Sequence, residues 1–575
     1  MHIPARLGRN DVAALVVLFA LIFALPAGSA PPASAVASAH PLATEAGIEI
    51  LEQGGNAFDA AVAVGAALAV VEPYSSGVGG GGFWLLHEAA SGRNIMIDGR
   101  ETAPGAAHPD MYVDANGRVD SRASLDGPLA AGIPGMPAAL AHIAREYGRL
   151  PLSETLAPAI RLAREGFAVD EHYRTMAGFR LETLRSDREA ASIFLDNGEL
   201  PAPGWRLRQP DLARALELIA KTEAKGFYEG PFAKRLVDGT RAGGGIWTEE
   251  DLAGYRIEER EPLIGEYRGI RVITAPPPSS GGVALIGILN ILEPYNLEDM
   301  DEVRRTHLIV EAMRRAYRDR AAYLGDPDFV DIPLERLLSP LYADGLRTTI
   351  HPLRATPSES LQPVVTEQAV GEHTTHLSIL DEEGNRVAAT LTINTPFGAA
   401  YVPKGTGILL NNEMDDFSAQ PGEPNTYGLV GSEANAIEAG KRPLSSMTPT
   451  FLEAKDRIAV LGTPGGSRII TMVLLGSLEF AAGGDAEAIV SRERFHHQYL
   501  PDHIQYEPGG LSKALRKGLA EMGHRFEEVG RRYGDMHAVV WECRDGTVEA
   551  AADPRGIGSA RVREIREAVP AAACE

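Results

Sequence analysis

The segment Glu372-His373-Thr374-Thr375-His376-Leu377-Ser378-Ile379-Leu380-Asp381 decides the fold of this 575-residue chain. Its apolar and β-branched residues after Thr374 predict a buried strand. The stretch before it, residues 351–373, is polar, poor in apolar residues and interrupted by prolines. Such a composition is typical of an exposed, extended linker. Thr374 therefore opens a strand at the point where a linker ends.

A threonine in this position is suited to autocatalytic chemistry. If the chain is cut before Thr374, its hydroxyl and a new α-amine lie on the same residue. A free α-amine has a pKa of about 7.7–8.0, so at neutral pH it can act as the general base for that hydroxyl. The motif alone has low specificity, and a purely structural Thr-Thr pair in a strand is the alternative interpretation.

The two sides of this point differ in predicted secondary structure. Residues 31–373 are predicted to be helix-rich, and residues 374–575 to be strand-rich. The predicted helices are 44–53, 57–71, 136–147, 156–164, 212–224, 283–292, 303–324 and 468–481. The predicted strands are 83–87, 94–98, 375–380, 386–395, 406–410, 458–462, 538–543 and 547–552. The glycine-rich run 77–82 precedes a strand, which is the wrong order for a phosphate-binding loop, so we interpret it as a structural turn.

Residues 1–30 are predicted to be a signal peptide. Two arginines precede the uninterrupted apolar stretch 12–25, and small residues repeat after it, so cleavage is expected within residues 30–39. An uncleaved membrane anchor is the alternative, but the stretch is shorter than the roughly 20 residues that span a bilayer. The prediction is a secreted protein without a membrane span after signal removal, located in the bacterial periplasm.

Composition and charge exclude several classes of protein. Lys and Arg number 55 against 78 Asp and Glu, a net charge of −23, which argues against a nucleic-acid partner. Hydrophobic residues make up 44% of the chain, enough for a large buried core. The two cysteines, Cys543 and Cys574, are too few for a disulfide scaffold or a zinc site. The sequence is compatible both with one disulfide between these two cysteines and with two free thiols.

A series of motifs runs along the whole mature chain. They are HPLATEAG (40–47), ILEQGGNA (50–57), VEPYSSGVGGGG (71–82), DGRETAP (98–104), TTH (374–376), NNEMDDFS (411–418), RPLSSMTP (442–449) and GTPGGSR (462–468). In this order they resemble the gamma-glutamyltransferase (gamma-glutamyltranspeptidase) family of N-terminal-nucleophile hydrolases. The resemblance implies an α/β (α+β) fold, a four-layer αββα sandwich with strands from two autoprocessed subunits.

The resemblance also implies how the chain matures. The Thr374 hydroxyl would attack the carbonyl of His373 and release a large subunit, residues 31–373 with the linker 351–373 at its end, and a small subunit, residues 374–575. The two fragments would form a heterodimer with Thr374 as its nucleophile. Thr392, on the adjacent strand, would hydrogen-bond that hydroxyl; a β-branched strand residue without a special role is the alternative.

The same resemblance assigns substrate-binding roles. Arg100 would bind the α-carboxylate of a γ-glutamyl group, since its planar guanidinium can pair two oxygens at once. Ser445 and Ser446 would add hydroxyl donors to that carboxylate. The residues implied to surround the α-ammonium are Asn394, Glu413 and Asp416. The alternative for Arg100 is an ordinary surface arginine, and for the two serines it is a turn or a helix cap. For the residues assigned to the ammonium, the alternative is a solvated acidic loop.

Two further features complete the implied site. Gly465 and Gly466 would turn backbone N–H groups toward the developing oxyanion, with a turn that only needs positive φ as the alternative. Tyr427 lies in a segment that resembles the lid of glutathione-type members and would close over the pocket.

The implied activity is that of a gamma-glutamyltransferase and glutathione hydrolase. It would cleave glutathione and related γ-glutamyl compounds through an ester on Thr374 and pass the glutamyl group to water, an amino acid or a dipeptide. The implied enzyme uses no cofactor and no metal. The alternatives are a glutaryl- or cephalosporin-type acylase of the same fold, which needs no ammonium site, and a non-catalytic secreted binding protein.

Overall fold

The computed structural model describes residues 30–114, 116–120, 122–361, 374–420, 425–429 and 431–564. The predicted signal peptide up to residue 29, residues 362–373 of the predicted linker, and Cys574 lie outside these ranges. Cys543 is buried. Within the described ranges, no helix is both long enough and apolar enough to cross a bilayer.

The chain alternates helices and strands throughout. The strands are β1 Ala33–Ser38, β2 Gly81–Glu88, β3 Arg93–Gly99, β4 Phe167–Ala168, β5 Arg206–Leu207, β6 Glu258–Arg260, β7 Leu263–Tyr267, β8 Ile270–Thr274, β9 Thr375–Leu380, β10 Arg386–Thr392, β11 Thr450–Glu453, β12 Arg457–Gly462, β13 Phe495–His496, β14 Ile504–Tyr506, β15 Phe526–Glu528, β16 His537–Glu542, β17 Thr547–Ala552 and β18 Ser559–Glu564. The helices before Thr374 are α1 Pro41–Glu52, α2 Ala57–Val71, α3 Met136–Glu146, α4 Leu152–Thr155, α5 Ala157–Glu165, α6 Glu171–Phe179, α7 Leu181–Ser186, α8 Arg188–Phe194, α9 Pro210–Thr222, α10 Lys225–Tyr228, α11 Gly230–Ala242, α12 Glu249–Gly254, α13 Gly281–Leu292, α14 Glu302–Tyr323, α15 Leu334–Leu337 and α16 Pro340–Arg347. Those after it are α17 Ile469–Ala481, α18 Ala486–Ser491 and α19 Lys513–Glu521.

Two large sheets form the centre of the molecule. The first has the strand order β18-β1-β9-β10-β2-β3-β6, and the second has the order β17-β16-β12-β11-β8-β7. Neighbouring strands pair in antiparallel fashion in both sheets. Strands from before and after Thr374 are interleaved, because β1 lies between β18 and β9, and the pair β9-β10 lies between β1 and β2.

The strand that follows Thr374 is buried along its entire length. Leu377 and Ile379 point to one face and pack in the core that contains α2, as the two-residue period of a strand requires. His376 lies on the other face, where its ring packs against Gly462 of the second sheet. A Cβ on Gly462 would lie only 2.2 Å from this ring. Both faces are buried, and the polar side chains on the second face, His376 and Ser378, hydrogen-bond each other at 3.1 Å.

Helices cover both outer faces of the paired sheets. On the first sheet lies α2, all of whose residues are buried and whose N-terminus is closed by a capping box between Asn56 and Asp59. On the second lie α13 and α17, which share a core with the strands of that sheet. This arrangement confirms the predicted four-layer αββα sandwich of mixed helices and antiparallel sheets.

Most predicted elements agree with the structure, but the predicted strand at 406–410 is wrong. Gly405 and Gly407 have φ values of 68° and 69°, which interrupt an extended conformation. Thr406 instead donates its hydroxyl to the Pro403 carbonyl in a turn, at 2.6 Å. The strand predicted over 386–395 ends at Thr392, because Asn394 takes a left-handed conformation with φ of 72°.

Strand β1 was not predicted, because its small residues were interpreted as the end of a signal peptide. It is fully buried and pairs with both β18 and β9. Cleavage after Ala35 or Ala39 would remove part or all of this central strand. If the predicted cleavage occurs, the structure therefore favours the part of the expected range that precedes Ala33.

The start of the predicted linker is anchored to α14. The Glu311 carboxylate accepts a hydrogen bond from the Thr356 amide at 3.0 Å, and His307 bonds the His351 carbonyl at 2.9 Å. Asp502 accepts from the Ser358 amide at 3.0 Å, and Ser358 is fully buried. The chain is thus held in place almost up to residue 361.

The glycine-rich run before β2 has a steric role that a pair of variants tests. A Cβ on Gly80 would lie 2.1 Å from the Thr392 carbonyl oxygen, whereas a Cβ on Gly287, in α13, would meet nothing within 4 Å. We expect Gly80→Ala to lose about 1–3 kcal/mol of stability and to lower the Tm. We expect Gly287→Ala to gain about 0.5–1 kcal/mol. Thermal unfolding of both variants measures this; equal Tm values would contradict it.

Candidate active site

Thr374 lies at the end of the first sheet, immediately before β9. The antiparallel register pairs Thr375 with Leu391, so Thr374 and Thr392 are the next residues at this end of the two strands. Thr374 is 6% exposed and lies in the wall of two separate cavities. The strand pairing therefore brings the two predicted threonines together.

The smaller cavity, here called the acyl cavity, has a volume of about 20 Å³, enough for about one water molecule. It is lined by Thr374 and nine other predicted site residues, which are Arg100, Thr392, Asn394, Glu413, Asp416, Tyr427, Ser445, Ser446 and Gly466. Of the remaining two, Gly465 lines the other cavity and His373 lies outside the described residues.

Arg100 is held at the end of β3 by several partners. Its amide donates to the Asp98 carboxylate at 3.0 Å, and its Nε donates to the Pro443 carbonyl at 3.2 Å. Its two terminal nitrogens form ion pairs with Glu413 and Asp416. Burial by itself lowers the pKa of Arg100, but the surrounding carboxylates outweigh burial and raise this pKa.

The two carboxylates reach Arg100 because they share one side of a short 3₁₀-helix, Glu413–Asp416. Side chains three residues apart in such a helix lie above one another. Burial raises the pKa of Glu413 to about 8 and raises the pKa of Asp416, while Arg100 opposes both shifts. The result is a compact, buried group of one cation and two acids.

Such a group can bind an α-amino acid. The ammonium and carboxylate of an amino acid are attached to the same carbon, so the groups that bind them must be close neighbours. Arg100 can bind a carboxylate with two hydrogen bonds, and Glu413 and Asp416 can accept from an ammonium. In the closed cavity these protein groups pair with each other instead.

Thr392, Asn394 and Tyr427 form a hydrogen-bonded chain across the acyl cavity. The Asn394 amide donates to Thr392 Oγ1 at 2.7 Å, which leaves the Thr392 hydroxyl proton for another acceptor. The Tyr427 hydroxyl donates to the Asn394 carbonyl at 2.8 Å. Tyr427 is buried, so the tyrosine of the predicted lid lies within the wall of the cavity.

The two serines also keep their hydroxyl protons available. Ser445 Oγ accepts from the Met447 amide at 3.1 Å, in a local turn. Ser446 Oγ accepts from Arg320 at 3.3 Å. Each hydroxyl can therefore donate to an anion in the cavity.

Gly465 and Gly466 lead into the helical segment before α17, with φ values of 140° and 54°. A Cβ on Gly466 would lie 2.4 Å from the Tyr427 ring, and one on Gly465 would lie 2.4 Å from Met472 Cε. These positions therefore require glycine, and the start of a helix directs its N–H groups and its positive dipole end toward the site.

Sequence analysis missed two charged residues beside the acyl cavity. Arg320, on α14, donates to Ser280 Oγ at 2.9 Å and to Ser446, and no ion pair joins it to any carboxylate of the described ranges. Burial lowers the pKa of Arg320 to about 10. Glu101 lies 3.8 Å from Arg100, and burial raises its pKa well above the usual range. Arg320 belongs to none of the motifs, and the charge-rich sequence of α14 gives no sign of which residues are buried.

The larger cavity, here called the second cavity, has a volume of about 230 Å³. Its wall includes Glu72, which accepts from the Thr375 hydroxyl at 2.7 Å and from Tyr74 at 3.2 Å. Burial raises the pKa of Glu72 to about 8. The other lining residues are Ala39, Ser75, His172, Thr175, Met176, Thr374, Pro464, Gly465, Arg531, Arg532, Tyr533, Gly534, Asp535, Arg555 and Gly556.

A group of side chains with metal-ligand spacing lies elsewhere, at His307, Glu311 and His524. The Glu311 carboxylate and the facing ring nitrogens already have protein partners. Arg315 donates to the Glu311 carboxylate at 2.6 Å, and the two histidine rings bond each other at 2.8 Å. The neighbouring arginine charge disfavours a bound cation, so we interpret the group as part of the linker anchor.

Comparison with known proteins relates the chain to one family. The sequence model of gamma-glutamyltranspeptidase matches residues 43–562. A protein named glutathione hydrolase proenzyme from Pseudomonas sp. (strain A14) is 44% identical over 514 residues, 88% of this chain and 89% of that protein. One of the same name from Escherichia coli (strain K12) is 41% identical over 529 residues, 91% and 90% of the two chains. The crystal structure of a cephalosporin acylase from Bacillus halodurans superposes with a TM-score of 0.80 at 28% identity, covering 94% of this chain and 98% of that one.

The raised pKa of Glu72 makes the stability of the fold depend on pH. The unfolded carboxyl loses its proton near its ordinary pKa of 4.5, whereas the folded one keeps it to about 8. The free energy of unfolding therefore decreases as the pH rises between these values, in total by about a few kcal/mol. We expect the Tm to fall between pH 5 and pH 8, and to fall less in Glu72→Gln.

Thermal unfolding at the two pH values measures this effect. Glu52→Gln, which changes an exposed carboxylate, is the control and should keep the full decrease. An equal decrease in the wild type and in Glu72→Gln would contradict the assignment.

Proposed function

The chain belongs to the gamma-glutamyltranspeptidase family, and from that premise we propose that Thr374 is its nucleophile and the residue at which it is cut. The chain is an enzyme, a gamma-glutamyltransferase and glutathione hydrolase. The observation that most supports the proposed nucleophile is its position in the wall of the acyl cavity, among nine other predicted site residues.

Maturation begins with the Thr374 hydroxyl. Its oxygen attacks the carbonyl carbon of His373, the peptide bond to the Thr374 nitrogen breaks, and an ester forms. Water then cleaves the ester, which leaves a carboxylate on His373 and a free amine on Thr374. The interleaving of β9 and β10 with strands from before the cut supports a heterodimer that stays together.

The mature site works by acyl transfer. The Thr374 amine removes the proton of its own hydroxyl, whose oxygen attacks the γ-carbonyl of glutathione or a related γ-glutamyl amide. The N–H groups at Gly465 and Gly466 stabilise the oxyanion. The amine component leaves with the proton, and a γ-glutamyl ester remains on Thr374. Water or a second amine then attacks this ester.

The acyl cavity selects substrates with an amino-acid head group. An entering α-carboxylate takes the place of Glu413 and Asp416 on Arg100, and the α-ammonium compensates the two acids that have lost their cation. A glutaryl group brings the carboxylate without the ammonium, so it would leave two buried acids unpaired, at high cost. This difference favours the transferase over an acylase of the same fold.

The same function fits export of the chain. The predicted signal peptide, with its two arginines and short apolar stretch, would direct the enzyme out of the cytoplasm. We infer a secreted, periplasmic enzyme that meets small γ-glutamyl compounds as its substrates.

Replacing Thr374 by alanine tests the nucleophile and the cut together. We expect Thr374→Ala to remain one chain without activity, because no hydroxyl can attack His373. The wild type should show a fragment of residues 374–575, about 22 kDa when 61.4 kDa is scaled by 202/575. Denaturing gels and N-terminal sequencing measure both.

The neighbouring threonine provides the matched control. Thr375→Ala loses a methyl group and the hydroxyl that donates to Glu72 but keeps the Thr374 hydroxyl, so it should still be cut. Two bands from Thr374→Ala, or a fragment that begins at another residue, would refute the proposal.

Arg320 should contribute to substrate binding. In Arg320→Met, Ser446 loses a donor and the acyl cavity loses a positive charge. We expect KM for γ-glutamyl p-nitroanilide to rise about tenfold or more, with a smaller change in kcat, since a charge-assisted hydrogen bond is lost. Arg318→Met, on the same helix but outside the cavity lining, is the control and should keep a normal KM. An unchanged KM in Arg320→Met would exclude this contribution.

A further inference from the structure

Helix α14 contacts two segments of the site with side chains about one turn apart. The Tyr317 hydroxyl donates a hydrogen bond to the Ser467 carbonyl, and the Arg320 guanidinium donates to Ser446 Oγ at 3.3 Å. Residues three apart on a helix lie on the same face, and both side chains are buried. One face of α14 therefore meets both the segment proposed to stabilise the oxyanion and the segment proposed to bind the head group.

The backbone of residues 465–468, here called the oxyanion segment, is only weakly restricted by its own sterics. Gly465 and Gly466 have φ values of 140° and 54°, and glycine lacks the Cβ that limits backbone rotation. The direction of their N–H groups therefore depends on contacts with other parts of the protein. Two such contacts reach the residues that follow, one at the Ser467 carbonyl and one at the Arg468 side chain.

The first contact comes from a side chain that is itself tightly held. Tyr317 is 1% exposed, and its ring meets the His496 ring edge-on, with 5.5 Å between the ring centres. His496 in turn bonds Thr471 Oγ1 of α17 at 2.8 Å. Burial raises the pKa of Tyr317 above its ordinary range, so the hydroxyl keeps its proton and acts as a donor. Because a peptide group is planar, a donor fixed on the Ser467 carbonyl fixes the orientation of that whole group.

The second contact holds the side chain at the C-terminal end of the oxyanion segment. Arg468 donates to Gln505 Oε1 from Nε at 3.1 Å and from a terminal nitrogen at 2.8 Å. Gln505 lies in β14, and its own amide group donates to Glu527 at 3.0 Å. Two separate elements, α14 and β14, thus hold the part of the oxyanion segment that follows the two glycines.

We propose that Tyr317 and Gln505 are positioning residues of the reaction, which hold the N–H groups of the oxyanion segment where the γ-carbonyl oxygen becomes charged. This inference rests on the proposed function, since it takes Thr374 as the nucleophile and Gly465 and Gly466 as the source of the N–H groups. Neither Tyr317 nor Gln505 lines the acyl cavity or the second cavity. Their effect on the substrate therefore passes through the backbone of the oxyanion segment.

A residue that acts in this way affects the transition state more than the bound substrate. The γ-carbonyl oxygen becomes an oxyanion only as a nucleophile bonds to its carbon, and both acylation and deacylation of Thr374 pass through this stage. Misplaced N–H donors slow both steps, while the head group still binds at Arg100. Loss of the Tyr317 hydroxyl should therefore lower kcat and leave KM almost unchanged. Arg320 should show the opposite pattern, because it contacts the serines that bind the head group.

The experiment measures the processed Tyr317→Phe enzyme with γ-glutamyl p-nitroanilide. We expect kcat to fall about tenfold or more, part of the roughly 10²–10³-fold loss that follows removal of an oxyanion donor. KM should change less than twofold. Glutamate whose γ-carboxyl is replaced by a boronic acid forms a tetrahedral adduct with a nucleophilic hydroxyl, so its Ki should rise about as much as kcat falls. The Ki of L-glutamate, which offers the head group and a planar carboxylate, should change less than twofold.

Tyr342→Phe is the matched control. Tyr342, in α16, donates its hydroxyl to Asp319 of α14 at 3.1 Å and lines neither cavity. This variant also loses a tyrosine hydrogen bond to α14, but it should keep the wild-type kcat and both Ki values. If Tyr317→Phe is not processed, Gln505→Met replaces it, since Gln505 is only partly buried, and the same split between kcat and KM is expected.

Three results would overturn the inference. They are an unchanged kcat in Tyr317→Phe, an equal loss of kcat in Tyr342→Phe, and equal losses of affinity for the boronic acid and for L-glutamate. The last two would mean that the hydroxyl has only a structural role. A wild type that does not cleave the anilide, or a Thr374→Ala variant that does, would instead refute the proposed function itself.

Discussion

The pairing of β9 with both β1 and β10 is the constraint on which the rest of the structure depends. It buries the strand on two edges and two faces, so the residue immediately before it is fixed at the end of the sheet. It also joins parts of the chain from both sides of Thr374 in one sheet. A chain cut at this point keeps its hydrogen-bonded ladder and both apolar cores. The new terminus therefore stays in place, which is what an N-terminal nucleophile requires.

The burial of the charged side chains that line the acyl cavity is a second constraint. Arg100, Glu413 and Asp416 are taken out of water together, at a desolvation cost that only close pairing offsets. Removing one member leaves the others unpaired, so the group is specific for a ligand that replaces both kinds of partner at once. A zwitterionic head group does so without changing the net charge of the cavity. Under the proposed function, selectivity for amino acids follows from the burial of these charges.

Sequence analysis recovers the parts of the molecule that local patterns determine. The limits of α2, β9 and β17 were predicted to the residue, because each is a long apolar run or follows a clear break. The predicted strand at 406–410 failed because two glycines at positive φ outweigh β-propensity. Strand β1 was missed because Ala-Ser repeats suit a signal-peptide end as well as a strand between two neighbours. The site residues came from the family resemblance, whereas Arg320 depends on how α14 meets the Ser445-Ser446 segment, and only tertiary structure reveals that contact.

The position of Thr374 bears on how an ester on it could be resolved under the proposed function. Within the described ranges, Thr374 is the one residue common to the walls of the acyl cavity and the second cavity. The groups proposed to hold the γ-glutamyl head line the acyl cavity alone. A molecule that reaches the ester from the second cavity therefore does not have to displace them, so the identity of the acyl group and the choice between water and an amine can change independently.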